Sequence, residues 1–160
     1  MKKNRIEFVY TEHESPQTLE APYIKLVSAA KEASGDAYAP YSNFNVGAAV
    51  LLEDGTIVKG SNQENASFPL CICAEANVLS NYGSNFKEIP IVALAVSVQG
   101  KEQIKDKPIS PCGACRQIIS EYQNRQQKEI HILLSSESGR TFEIQNIFNI
   151  LPLSFGHQDL

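Results

Sequence analysis

No dense block of lysine and arginine, no apolar run of membrane length and no internal repeat occurs in the 160 residues. Fourteen basic against eighteen acidic side chains leave a formal charge of −4, without the electrostatic footprint that a nucleic-acid backbone or an anionic bilayer requires. A polyanionic partner is disfavoured. The longest apolar stretch, Ile91 to Val98, is well short of the ~20 residues a membrane helix needs and reads as a buried strand. After Met1-Lys2-Lys3 the first apolar stretch is only Phe8-Val9-Tyr10, too short for a secretory signal, so the chain is expected in the cytoplasm. Cysteine is scarce too. Four cysteines in a reducing compartment are seldom a disulfide framework and more often metal ligands or catalytic thiols. None of His13, His131 and His157 has ligand spacing to another histidine or to a cysteine, and each reads as structural or surface.

What is present fits one globular domain: 42% apolar residues, 20% charged residues and a mean hydropathy of −0.22, in a length that can enclose a core. Residues 1 to 16 read as an extension carrying one short strand, Ile6 to Tyr10, ahead of a domain over 17–160. Leu19, Tyr23, Leu26, Val27 and Ala30 fall at helical spacing between Gln17 and Ala33, with Ser34-Gly35 as the stop. Val46 to Glu53 and Thr56 to Gly60 flank Asp54-Gly55, a dipeptide that favours a type I′ hairpin. Further on, the pattern predicts a helix over Ala74 to Tyr82, a strand over Ile91 to Val98, a charged loop from Gly100 to Pro108 and a helix over Cys112 to Gln123. Strands over Ile130 to Ser135 and Arg140 to Ile144 follow, then a short helix from Ile147 to Leu151 cut by Pro152. Helices interleaved with about five short strands imply an α/β layered sandwich with helices on both faces of the sheet.

Cys73-Ala74-Glu75 opens one predicted helix, and Pro111-Cys112-Gly113-Ala114-Cys115 opens another, with Cys112 and Cys115 on one face. Three sulfurs can therefore converge from two helix ends, where unpaired N–H groups and roughly +0.5 of dipole charge favour thiolates. Zinc suits such a donor set, and three protein ligands leave the fourth position to water, as at catalytic rather than structural sites. Glu75, two residues beyond a ligand, is placed to act as acid and base. Three other readings compete on the residues alone. Cys71 could close a four-thiolate structural site, though only one residue separates it from Cys73. Cys112 and Cys115 could be a redox pair, which leaves Cys73-Ala74-Glu75 unexplained. The thiols could also be small buried apolar residues, the reading preferred for Cys71.

Together, the two cysteine motifs resemble the signature of zinc nucleobase deaminases. Pro40 to Ala49, Asn62-Gln63-Glu64-Asn65-Ala66 and Leu151 to Gly156 extend the likeness to the free-nucleoside cytidine deaminase family, over roughly residues 20 to 160. The resemblance implies three-layer α/β/α subunits, with a mixed sheet, assembled as a homotetramer with composite active sites. It implies zinc on Cys73, Cys112 and Cys115, catalysis by Glu75, and hydrolytic deamination of cytidine and deoxycytidine in pyrimidine salvage. Carried over by position, Phe44 packs on the pyrimidine, while Asn62 and Glu64 hydrogen-bond the ribose 3′-hydroxyl. Two polar residues at such spacing on an extended segment share one face, although a polar loop capping itself is the plainer reading. The resemblance also sets Ala66 and Phe68 against the substrate of a neighbouring subunit, with Phe155 as a lid from another chain.

Two departures stand out. Relatives with three cysteine ligands usually carry arginine directly after the glutamate, where this chain has Ala76, and Arg116 is the candidate for offsetting the thiolate charge. Phe68 stands where the family often has tyrosine, which removes a hydroxyl near the ribose. Polynucleotide deamination would call for a basic groove that this acidic chain lacks. A related small aminopyrimidine nucleoside as substrate, or a non-catalytic zinc-stabilised binding module, are the remaining alternatives.

Overall fold

Residues along the central strands alternate so that each face of a single sheet meets its own layer of helix. The computed structural model describes residues 1–100 and 105–160; part of the charged loop expected from Gly100 to Pro108 lies outside the described residues. Six strands are described: β1 (Thr11–His13), β2 (Asn45–Leu52), β3 (Ile57–Ser61), β4 (Ile91–Gln99), β5 (His131–Ser135) and β6 (Thr141–Ile144). They lie in the order β1-β6-β5-β4-β2-β3, with β4 and β5 parallel and every other neighbouring pair antiparallel. The sheet is mixed, as the sequence implies, with one strand more than expected.

The helices are α1 (Ala21–Ala33), α2 (Ala74–Asn85) and α3 (Gly113–Gln126). Leu26, Val27 and Ala30 of α1 pack with Ala49, Leu51, Ala93, Ala95 and Leu133 on one face of the sheet. On the other face Val78, Leu79 and Tyr82 of α2 and Ile119 of α3 meet Ala48, Val50, Leu94, Val96, Ile132 and Leu134. Odd and even positions of β4 thus serve opposite layers, as a two-residue side-chain period demands. Two glycines set how closely the layers approach. A Cβ on Gly47 would stand 2.0 Å from the carbonyl oxygen of Ala30 in α1, and one on Gly60 would stand 2.7 Å from the backbone nitrogen of Val78 in α2.

Several boundaries differ from the sequence reading, each for a local reason. Ile6 to Tyr10 is not a strand; Thr11–His13 is, because Glu12 faces Phe142 across the ladder and His13 reaches Glu143 at 2.9 Å. Pro16–Thr18 forms a separate 3₁₀ turn under the Ser15 cap, so α1 begins at Ala21 rather than Gln17. The β2–β3 turn is not type I′, since of its Asp-Gly pair only Gly55 takes positive φ (+87°). The Gly55 N–H closes onto the Leu52 carbonyl at 3.0 Å, giving a longer loop with its glycine in the left-handed position. The expected last helix shrinks to a 3₁₀ turn over Ile147–Asn149, capped by Asn146. Among the described residues no helix is long and apolar enough to cross a membrane.

Candidate active site

The site forms where three chain reversals meet at one end of the sheet. Val96 and Val98, at the carboxyl end of β4, face the α2–α3 layer and floor a cleft of about 370 Å³. Phe44 and Val46 at the start of β2 form one wall, and Asn62, Gln63 and Glu64 beyond β3 another. Cys73, Ala74 and Glu75 with Ile109, Ser110 and Cys112 close the far side.

Cys73 and Cys112 are the N-cap residues of α2 and α3, and Cys115 sits in the first turn of α3. The sulfurs of Cys73, Cys112 and Cys115 lie within 4.8 Å of one another, and those of Cys112 and Cys115 are 3.5 Å apart. Cys73 and Cys112 are exposed to the cleft while Cys115 is buried. A hydrogen bond from Cys115 draws the Cys73 thiol down to about 6, against burial and the nearby Glu75 carboxyl. The same bond, with burial, holds the Cys115 thiol up. Three convergent soft donors at two helix N-termini fit a zinc ion. Glu75, in the first turn of α2, is only 5% exposed, and burial raises its carboxyl above the ordinary range.

Asn62 and Glu64 are held by the loop they face. The Asn62 Oδ1 accepts from the Val46 N–H at 2.8 Å and its Nδ2 donates to the Phe44 carbonyl at 2.9 Å, which leaves one N–H and one lone pair uncommitted. One carboxylate oxygen of Glu64, Oε2, accepts from the Tyr41 N–H at 2.9 Å and the Ser42 N–H at 3.3 Å. Hydrogen bonding from Ser42 and Tyr41 lowers the Glu64 carboxyl below its usual range. Both side chains thus cap the loop they face while lining the cleft.

Phe44, Asn62 and Glu64 share one cleft with Cys73, Glu75 and Cys112, and the Cys115 sulfur joins the cluster behind them. Ala66, Phe68 and Phe155 do not line that cleft. Ala66 is exposed. Phe68 is 68% exposed and meets Tyr41 edge-on at 5.8 Å. Phe155 is 59% exposed, and its carbonyl takes a hydrogen bond from Gln117 Nε2 at 2.9 Å.

Two sequence expectations fail here. Cys71 is not a buried apolar filler but an exposed cleft residue whose sulfur engages Asn65, and it stands outside the three-sulfur cluster. Arg116 does not face the thiolates: its Nε donates to the Pro111 carbonyl at 2.9 Å and its Nη1 to the Ile150 carbonyl at 2.8 Å. The sequence reading passed over Val96, Val98, Ile109 and Ser110. The even-position pattern of β4 carries a signal for the two valines, whereas the pair before Pro111 carries none.

The family model for the cytidine and deoxycytidylate deaminase zinc-binding region matches residues 22–129. A cytidine deaminase of Sporosarcina psychrophila is 38% identical over 140 residues, covering 85% of this chain and 93% of that protein. One from Mycobacterium tuberculosis is 36% identical over 131 residues, covering 82% and 87%. Among solved structures, the cytidine deaminase of Burkholderia pseudomallei superposes with a TM-score of 0.70 at 37% identity, over 82% of this chain and 97% of that one.

Proposed function

The chain belongs to the cytidine and deoxycytidylate deaminase family, and on that premise we propose how its residues divide the hydrolysis of cytidine and deoxycytidine to uridine and deoxyuridine plus ammonia. The observation that carries the reading is the three-sulfur cluster beside a buried glutamate, in a cleft walled by Phe44, Asn62 and Glu64.

Cys73, Cys112 and Cys115 hold zinc. When bound, the ion supplies a Lewis acid that acidifies water at neutral pH. Phe44 stacks on the pyrimidine and sets the ring over the cluster, with Val96 and Val98 excluding water beneath it. Glu75 takes one proton from the attacking water and delivers it to ring N3, then takes the remaining proton from the new hydroxyl on the ring carbon and gives it to the departing amino nitrogen as the carbonyl forms. One water is consumed and one ammonia leaves. Asn62 and Glu64 bind the ribose 3′-hydroxyl.

Ala66, Phe68 and Phe155 complete the site of a neighbouring copy. What supports this is their exposure together with that of Tyr38, Tyr41, Leu70 and Ile72, an apolar set beside the cleft that a second subunit would cover. The assembly is a homotetramer. A reducing, cytoplasmic location keeps the thiols free for metal, and the reaction serves pyrimidine salvage.

The test is ultraviolet monitoring of cytidine, deoxycytidine, cytosine and deoxycytidylate with the purified protein, before and after metal removal. Loss of cytidine absorbance with ammonia in equal amount, abolished by metal removal, is expected. Equal rates on cytosine and cytidine would overturn the ribose contacts, and no turnover of any of the four would overturn the deaminase reading.

A further inference from the structure

Cys71 is the one thiol that the three-sulfur cluster leaves out, and its surroundings give it a different task. It lines the cleft between Glu64 and Cys73. Its sulfur accepts the Asn65 N–H at 3.3 Å and donates to the Asn65 carbonyl at 3.7 Å. One side chain thus meets both backbone polar groups of a single residue, as a paired strand would.

That residue needs a partner because the chain there has left the sheet. Gln63 and Ile72 close a short antiparallel bridge, with N–H to O distances of 2.9 Å in both directions. Between them the chain loops out through Asn65, Ser67 and the 3₁₀ turn Phe68–Leu70, where no backbone rung follows the bridge toward Asn65. The Cys71 thiol takes the place of that rung. Glu64 sits between the bridge and the thiol contact. Its backbone N–H is fixed on the Tyr38 carbonyl at 2.8 Å and its carboxylate on the amides of Tyr41 and Ser42.

We propose that Cys71 is a positioning residue for the sugar-binding edge: by clamping Asn65 it fixes the chain direction out of Glu64, whose side chain lines the cleft. The inference rests on the assignment of Glu64 to the ribose. Cys71 contributes neither to metal binding nor to proton transfer, so its loss weakens nucleoside binding and spares the chemical step.

The experiment compares the zinc-loaded wild type with Cys71→Ala and Cys71→Ser in three readouts: zinc content, steady-state kinetics on cytidine, and amide hydrogen exchange at Asn65. Zinc stays at one ion per chain in all three proteins. Cys71→Ala raises KM for cytidine about three- to tenfold, the size of one lost hydrogen-bonding side chain, with kcat held within about twofold. Exchange at Asn65 accelerates by a similar factor. Cys71→Ser restores a donor and acceptor and brings both quantities part of the way back. Loss of zinc from Cys71→Ala would make the thiol a ligand and overturn the proposal, as would a fall in kcat at constant KM, or an unchanged Asn65 exchange rate. If the wild type turns over no cytidine, the functional reading fails by itself, while the exchange measurement still decides the role of the thiol.

Discussion

Arg116 donates from Nη1 to the carbonyl of Ile150 at 2.8 Å, which ties the first turn of α3 to the segment leading into the C-terminal residues. Its Nε holds the Pro111 carbonyl, one residue before Cys112. A single guanidinium therefore braces the backbone that presents two cluster cysteines, and anchors the segment that ends in Phe155. Arg116→Ala is expected to cost about 2 kcal/mol of stability, the scale of hydrogen bonds from a charged group, and to speed proteolysis after Ile150. Denaturant unfolding and mass-mapped limited digestion check this. A digestion pattern identical to wild type would show that the anchor lies elsewhere.

Replacing Glu75 by Gln removes the proposed proton carrier and keeps the side chain's size. Zinc content and the melting temperature should remain close to wild type, while kcat falls by about 10²–10⁴-fold, the usual yield of general acid–base catalysis. Single-turnover kinetics on cytidine with metal analysis of the same sample measures both. Near-wild-type turnover refutes the assignment.

Cys112→Ala takes away one of the three proposed zinc donors, at the N-cap of α3. The variant should bind zinc too weakly to survive dialysis and should lose deamination. Inductively coupled plasma analysis and the ammonia assay report on the two losses separately. A fully active zinc-free variant would end the metal reading.

The proposed ribose contact of Glu64 predicts a pH behaviour for nucleoside binding, because its carboxyl is held below its usual range by Ser42 and Tyr41. A depressed folded value means that the carboxylate form, with its grip on the Tyr41–Ser42 turn, is complete above the ordinary range near 4.5 and is lost only as pH falls through the lower folded value. KM for cytidine should stay flat from pH 8 down to about 5. A KM that climbs steadily between pH 7 and 6 would remove Glu64 from the sugar site.

His13 bridges the Thr18 hydroxyl and the Glu143 carboxylate, each at 2.9 Å, and so buttons β1 to the sheet edge. His13→Ala should free residues 1–12 for proteolysis and cost about 1 kcal/mol, while kcat and KM stay at wild-type values, since no atom of that strand lines the cleft. A kinetic change of tenfold would connect the extension to the site.

The parts of the molecule legible in the sequence were those governed by local rules. A continuous apolar run placed β4, helical spacing placed the buried face of α1, and the two short cysteine motifs placed the cluster, because each motif sits at a helix start whose geometry is set within a few residues. The parts that were not legible depend on contacts distant in the chain. Thr11–His13 becomes a strand through Glu143 and Thr141, 130 and 128 positions away, which no window of sequence shows. Arg116 was misread for the same reason: adjacency to Cys115 suggested an electrostatic partner, yet the side chain turns to Ile150. Cys71 has the composition of a core residue, and only the looped path from Gln63 to Ile72 shows why a thiol stands in the open.

Gly60 carries no reactive group, yet a single added methyl would meet the Val78 backbone at 2.7 Å. Because Cys73 caps α2 and Glu75 lies in its first turn, levering its second turn off the sheet would tilt the proposed ligand and the proposed proton carrier together. A random-mutagenesis survey scored only for lost turnover should therefore return position 60 alongside the cysteines, and a hit there would misdirect anyone who equates inactivating positions with substrate contact.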